Sequence, residues 1–231
     1  MSGRYAIYFS PAAGSDLARF GDRWLGRDAE AGQPVLRPAV DGIDADRLRA
    51  LTEAPRHYGF HGTLKPPFHL AEGCDVDDLR CAIAGFAVRQ TAFSIAALRL
   101  REIGDFLALA PVETESALSK LADACVAEFD AYRAPPDVAE LAKRHASGLT
   151  PRQAELLARW GYPYVMDEFR FHLTLTGPVA DRDERARVAG LLQSLVAPLL
   201  DQPVPVRELC LFHQPDRVMP FRLIQRFPFG R

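Results

Sequence analysis

Tyr58-Gly59-Phe60-His61-Gly62-Thr63-Leu64-Lys65-Pro66-Pro67-Phe68 and Phe169-Arg170-Phe171-His172-Leu173-Thr174-Leu175-Thr176-Gly177 contain the same four-residue signature, His-x-Thr-Leu, at 61–64 and at 172–175. The copies stand 111 residues apart, near half of the 231-residue chain. With 7 Thr, 28 Leu and six His in the sequence, two histidines acquiring x-Thr-Leu by accident has a chance on the order of 10⁻⁴, so the pair is informative where one copy would not be. In an extended chain residues i and i+2 share a face. The alternation predicts His61, Thr63 and Lys65 on one face and Arg170, His172, Thr174 and Thr176 on one face. Phe60, Leu64, Phe171, Leu173 and Leu175 point to the opposite, buried side.

Working outward, both signatures sit in the same plan. Tyr5 to Phe9 predicts a strand stopped at Ser10-Pro11, and Ser15 to Leu25 a helix. A loop-rich stretch covers 26–42, and a short helix from Asp44 ends before Pro55. The segment from His57 to Lys65 alternates as a strand stopped by Pro66-Pro67. Asp75 caps a helix to about Arg89, and Phe93–Glu102 and Phe106–Val112 form a hairpin turning at Gly104-Asp105. In the second half a helix spans Thr114 to Tyr132, with extra helical material between Pro136 and Trp160. A strand at Phe169–Thr176, a helix at 181–197, a strand at 204–212 and a last strand at 221–227 follow. The expectation is a single domain over 1–231 built from approximate repeats 1–103 and 104–231, with a helical insert near 136–160.

Composition narrows the function classes. The chain is 48% hydrophobic and 25% charged, which suits a soluble globular protein and not a disordered one. Lys+Arg 28 against Asp+Glu 30 leaves a net charge of -2, not the footprint of a protein that tracks a long polyanion. Only Lys65, Lys120 and Lys143 are lysines; the arginine bias reads as compositional. Cys74, Cys81, Cys125 and Cys210 match neither a zinc spacing nor a disulfide framework and are expected to be buried free thiols. No apolar run is long enough for a signal peptide or a membrane span, so a cytoplasmic location is expected.

Each signature offers an imidazole beside a hydroxyl on a rigid strand. If the two strands face each other across a cleft, two imidazoles and two hydroxyls converge. One neutral imidazole can accept a proton from an attacking hydroxyl or water while the other donates to a leaving oxygen, and the threonines hold phosphate oxygens. No metal or cofactor is required.

The paired motifs resemble those of the two-histidine (2H) phosphoesterases. The surrounding residues at 58–68 and 169–177, with Phe212-His213-Gln214-Pro215 and Pro220-Phe221-Arg222-Leu223, resemble the branch of phosphonate-metabolism proteins of unknown function found with bacterial phosphonate-degradation genes. The resemblance implies an α+β fold that is bilobal and pseudosymmetric, each lobe an antiparallel sheet with helices outside, and the site in the groove between lobes. It implies His61 and His172 as catalytic residues, Thr63 and Thr174 on the phosphate, and activity on cyclic phosphates or 2′,5′-type diesters.

Lys65 and Arg170 share faces with the motif residues and are candidate phosphate contacts. Tyr58 is a candidate stacking surface or a packing residue, and Tyr164, in Tyr162-Pro163-Tyr164, part of a lid or of a rigid aromatic turn. His57 lies four before His61, a spacing for metal ligation on a helix, but the segment reads as extended. His69, His145 and His213 read as structural. The expected partner is a small phosphorylated substrate, without long nucleic acid or membrane, under a groove covered by 26–42 and 136–160. An RNA-end 2′,5′ ligase or cyclic phosphodiesterase, and a nucleotide-binding module without turnover, are the other readings.

Overall fold

The computed structural model describes residues 3–136, 141–142, 144, 146 and 148–230. Seven strands form one antiparallel sheet: β1 (Arg4–Phe9), β4 (Gly62–His69), β6 (Leu98–Ile103), β7 (Phe106–Pro111), β8 (Leu173–Thr174), β10 (Glu208–Gln214) and β11 (Arg222–Pro228). Their order is β11-β10-β1-β4-β8-β7-β6. Two small ribbons stand apart, β2 (Arg27–Asp28) with β3 (Gln33–Pro34), and β5 (Phe93–Ile95) with β9 (Val204–Val206). The helices are α1 (Asp16–Leu25), α2 (Ala45–Tyr58), α3 (Val76–Ala87), α4 (Ser116–Glu128), α5 (Pro151–Trp160) and α6 (Arg182–Leu200).

Strand alternation sorts the sheet into two faces. Ile7, Phe9, Leu64, Leu107, Leu109, Leu173, Leu175, Leu209 and Leu211 join the main core with Trp24, Leu79, Ile83, Leu118, Leu121, Leu192 and Val196 from the helices. Ala6, Tyr8, Cys210 and Phe212 point the other way and form a second cluster with Ala29, Phe221 and Leu223. Helices α1, α3, α4 and α6 therefore cover one face, and the opposite face is left to carry the motif side chains. None of the helices is long and apolar enough to cross a membrane among the described residues.

The α+β class holds, but the expected separate sheet in each lobe gives way to one continuous sheet. The motif strands β4 and β8 do not confront each other across a cleft; they are hydrogen-bonded neighbours at its centre. Nor do the half-sheets follow the repeat boundary at 103/104. Strand β6 pairs with β7 from the second half, whereas β10 and β11 lie beside β1. Backbone pairing joins strands wherever their edges meet, and sequence order does not reveal which edges those are.

Three local expectations change for identifiable reasons. Helix α2 runs through Pro55 to Tyr58, so His57 is helical and not extended. Proline has no N–H to give the Leu51 carbonyl one turn back, and the Gly177 amide, just past the second motif, supplies that bond at 2.7 Å. Strand β4 continues through Pro66-Pro67. Its pairing to β1 slips there, from Ile7↔Lys65 to Tyr5↔Phe68, and β8 is too short to need an amide donor on its other edge. Prolines are tolerated at such irregular positions. The stretch 169–176 is regular strand only at Leu173–Thr174. The Gly104-Asp105 hairpin forms as read, with Ile103↔Phe106 closing it. All four cysteines are free, but only Cys125 and Cys210 are buried.

Candidate active site

The site is organised by one backbone pair. Gly62 opposes Leu173 in the antiparallel register of β4 and β8, and each is the residue between the histidine and threonine of its motif. Continuing the register by one residue sets His61 opposite Thr174 and Thr63 opposite His172. A pseudo-twofold axis thus passes between Gly62 and Leu173, with the four side chains around it on the face opposite the main core. Directly opposed side chains in such a pair have Cβ atoms about 4.5–5.5 Å apart and diagonal ones about 7–8 Å, so each imidazole has the other motif's threonine as its cross-strand neighbour. Gly62 allows this close pairing, because a Cβ there would lie 2.3 Å from the Phe171 ring.

Both imidazoles are oriented by the same device. His61 Nδ1 donates to the Gly59 carbonyl at 2.9 Å, and His172 Nδ1 donates to the Arg170 carbonyl at 2.7 Å. A carbonyl only accepts, so the proton is on Nδ1 in both rings and Nε2 is the working nitrogen. In the first motif, Nε2 accepts from the Thr63 hydroxyl at 3.2 Å. Gly59, which presents the carbonyl to His61, has φ +82, a backbone conformation that glycine adopts without a Cβ penalty.

The surroundings of the two rings differ. His61 stacks on Tyr8, centroids 3.8 Å apart at 24°, and Tyr8 in turn packs on Phe212 at 4.9 Å. Tyr58 stacks on Phe221 at 5.3 Å and reaches His61 at 6.1 Å, so it packs behind the first motif and does not line the cavity. On the other side Ala108 opposes Thr174 as Tyr8 opposes Thr63; alanine has no ring to stack, and Phe106 makes a tilted contact with His172 at 5.6 Å. Burial pushes the His61 imidazole down to about 4, the Gly59 carbonyl opposing that shift and the charge of His172 adding to it. Burial also lowers His172, against the pull of the Arg170 carbonyl.

A cavity of about 480 Å³ opens beside the motif residues, lined by Thr63 and His172, the hairpin tip Ile103–Phe106, Gln153 of α5, Tyr162, Tyr164, Glu168 and Arg170. Tyr164, 48% exposed, stands at this cavity, and Arg170 is exposed beside it. Helix α5 belongs to the insert and brings Gln153 to the wall, its amide donating to Glu168 at 3.1 Å. The stretch 26–42 is elsewhere: Ala29 packs with Phe212, Phe221 and Leu223, so it does not cover this cavity. Parts of the insert, including His145, lie outside the described residues.

Lys65 is the candidate that the structure takes away from the site. Tyr8 opposes Thr63 while Ile7 opposes Lys65, so an extra residue is taken up at Leu64 and Lys65 turns to the helix face. It is 1% exposed, and its ammonium donates to the Val126 carbonyl of α4 at 3.0 Å, with Asp130 at 3.6 Å. His57 serves structure as well: Gln214 Nε2 donates to it at 2.6 Å while the Gln214 carbonyl oxygen takes the Arg4 guanidinium. His213 stacks on Tyr5 at 4.7 Å. Among the described residues no group of three or more His, Cys, Asp or Glu is placed to hold a metal ion. Tyr8, Phe106, Asp105 and Gln153 were missed by the sequence reading; only Tyr8, one strand residue among aromatics, carried any signal.

Residues 63–222 match the family model described as Protein of unknown function (DUF1045). The chain belongs to this family. It is also similar to two proteins named ribose 1,5-bisphosphate phosphokinase PhnN. One, from Janthinobacterium sp. (strain Marseille), is 39% identical over 230 residues, 98% of this chain and 51% of that protein. The other, from Laribacter hongkongensis (strain HLHK9), is 36% identical over 221 residues, 95% and 50% respectively. The chain thus spans about half the length of these curated relatives. Among solved structures it is similar to E. coli LigT complexed with 3'-AMP and to a structure described as a phosphoesterase, each at 14% identity and TM-score 0.46 with 100% of both chains covered.

Proposed function

We propose that this DUF1045 chain is a two-histidine phosphoesterase that opens a small cyclic phosphodiester, with its own side chains as acid and base. The observation that carries the reading is the Gly62↔Leu173 register, by which the two imidazoles, each held through Nδ1 by a carbonyl, and two threonine hydroxyls share one sheet face. His61, depressed to about 4, is neutral near pH 7 and suits the base; His172, beside the more open cavity, suits the acid. Burial lowers both imidazoles, and the division of roles rests on His172 being the one that lines the cavity.

In the proposed step a water attacks phosphorus in line with the ester oxygen that leaves. Its proton passes to His61 Nε2 as the P–O bond to water forms. The ring P–O bond breaks, and the leaving oxygen takes the proton of His172 Nε2. Thr63 turns its hydroxyl from His61 to a phosphate oxygen and Thr174 donates to another, a use of charge-assisted hydrogen bonds where negative charge builds. A bound phosphate also favours the imidazolium form of His172, because an opposite charge within a few ångströms raises a histidine pKa.

A pentose ester suits the polar wall of Asp105, Gln153 and Glu168, which can bond sugar hydroxyls. The relatives' name denotes enzymes acting on a ribose with two phosphates, and ring opening of a cyclic phosphate on a phosphorylated ribose yields such a compound; a place in phosphonate metabolism follows from the family resemblance. The test is turnover of a panel of ribose and nucleoside cyclic phosphates in the presence of EDTA, with the product phosphate located by phosphorus NMR. Ring opening that survives the chelator is expected. No turnover of any member, or turnover that EDTA abolishes and added metal restores, sinks the reading.

A further inference from the structure

Strand β6 is the outer neighbour of β7, and its side chains divide cleanly. Leu98 is buried, Leu100 packs against the main core, and Glu102 accepts from Arg185 of α6 at 2.7 Å, so 98, 100 and 102 face the helices. Arg99, Arg101 and Ile103 therefore share the face that carries the histidines. Arg101 opposes Ala108, which opposes Thr174, and Arg99 opposes Ala110; one further step of the register sets Ala110 beside His172. Two arginines thus stand two strands from the β8 motif residues, about 9–10 Å away by strand spacing, with Ala108 and Ala110 of β7 between.

Arg99, Arg101 and Arg170 line a groove of about 610 Å³ that shares Ile103, Gly104, Phe169 and Arg170 with the site cavity. Carboxylates line it too, but Glu102 is engaged by Arg185 and Glu115 accepts the Ala96 amide at 3.1 Å, leaving Glu113. None of the three arginines has an acidic partner at ion-pair distance among the described residues, and Arg99 Nε is closed off from solvent without a hydrogen-bond acceptor. Several arginines elsewhere do have acidic partners, as Arg47 has Glu184, Arg152 has Asp167 and Arg226 has Glu30. Three unmatched forks on one groove leave donors that a phosphate would satisfy, often two at a time.

We propose that Arg99 and Arg101, with Arg170 between groove and cavity, form a second anion subsite that takes a phosphomonoester carried by the same small substrate whose cyclic phosphate sits at His61 and His172. The substrate class is then a cyclic phosphate of a sugar bearing a further phosphate, with a pentose between the two anionic ends. This rests on the diesterase reading of the histidine site. A neighbouring phosphate of an RNA strand is the other occupant of like charge, but the net charge of -2 gives no attraction for a strand beyond these few contacts.

The experiment compares wild type with Arg99→Gln/Arg101→Gln on three probes: ribose 2,3-cyclic phosphate, the same ester carrying a 5-phosphate, and an oligoribonucleotide ending in a 2′,3′-cyclic phosphate. Calorimetry with ribose 5-phosphate runs alongside on wild type, the double variant and His172→Ala. The double variant is expected to lose about 10–100-fold in kcat/KM on the 5-phosphorylated ester, as for removal of charged hydrogen bonds, while its kcat/KM on the unphosphorylated ester changes less than about threefold. It should also lose binding of ribose 5-phosphate that His172→Ala keeps. Equal losses on both esters, or no loss on either, overturn the subsite. So does oligonucleotide turnover that exceeds both and falls steeply with salt. If no probe turns over in wild type, the diesterase reading fails, and the calorimetry alone decides the subsite: retained binding in the double variant overturns it.

Discussion

The two motif strands are equivalent by sequence and by the axis between Gly62 and Leu173, yet they are built differently. Strand β4 spans eight residues and pairs along most of its length with β1; β8 is regular for two. His61 is stacked on Tyr8 in an aromatic cluster, whereas His172 touches Phe106 loosely and lines the open cavity. A duplicated motif supplies two like groups, and in the proposed mechanism their unlike neighbours assign one the part of base and the other that of acid. The difference lies outside the motifs, in which residue the adjacent strand presents: Tyr8 on β1, Ala108 on β7.

The strongest test of that comparison removes each ring in turn. His61→Ala and His172→Ala should each lower kcat on a cyclic phosphate by about 10²–10⁴-fold, the usual worth of a general base or acid, with far-ultraviolet circular dichroism unchanged. The double variant should be little worse than the poorer single one, because the pair acts as a unit. Wild-type-like turnover in either single variant would break the two-histidine scheme.

Next in size, Thr63→Val and Thr174→Val keep shape and strand preference but remove a hydroxyl. Each should cost about 1–4 kcal/mol of transition-state stabilisation, read from kcat/KM. Full activity in both would remove the threonines from the phosphate.

The pH dependence separates the two rings. His61 must be neutral, so kcat/KM should rise as pH increases through its value of about 4. His172 must be protonated, and its value lies below the usual 6.5, so kcat/KM should be falling again before neutrality. The maximum belongs on the acid side, and the limbs are properties of the coupled pair. In kcat the falling limb should move to higher pH, since bound phosphate favours the imidazolium. A plateau through pH 8 in kcat/KM would contradict the assignment.

The smallest effect sharpens the asymmetry itself. Tyr8→Leu keeps an apolar side chain but removes the stacked ring, a loss of about 0.5–1.5 kcal/mol beyond buried area, measured by denaturant unfolding. Proton NMR titration should show the His61 value moving up toward 6.5 as water gains access, with His172 little changed. Equal movement of both would mean that Tyr8 does not set them apart.

Much of the site's geometry is legible in the chain, because alternation in an extended segment is a local property: the faces of His61, Thr63, His172 and Thr174 follow from residue spacing alone. The same reasoning failed for Lys65, where the slip in pairing between β1 and β4 turned the ammonium to Val126 and Asp130. A bulge arises from the fit of two strands, and one strand's sequence does not contain it. His57 is helical where its sequence predicts an extended segment, because the Gly177 amide, more than a hundred residues away, fills the bond that Pro55 cannot make and lets the helix continue.

By itself, then, the sequence determined the class of elements, the hairpin at Gly104-Asp105, the paired motifs and the faces their side chains share. These depend on periodicity and turn chemistry, which act over a few residues. Only the tertiary structure decided that β4 and β8 are neighbours in one sheet, that Tyr8 backs His61 while Ala108 opens the space beside Thr174, and that Arg99 and Arg101 lie across those alanines from the site. Each is a contact between segments distant in the chain, set by which sheet edges pair and in what register, and no local pattern records that choice.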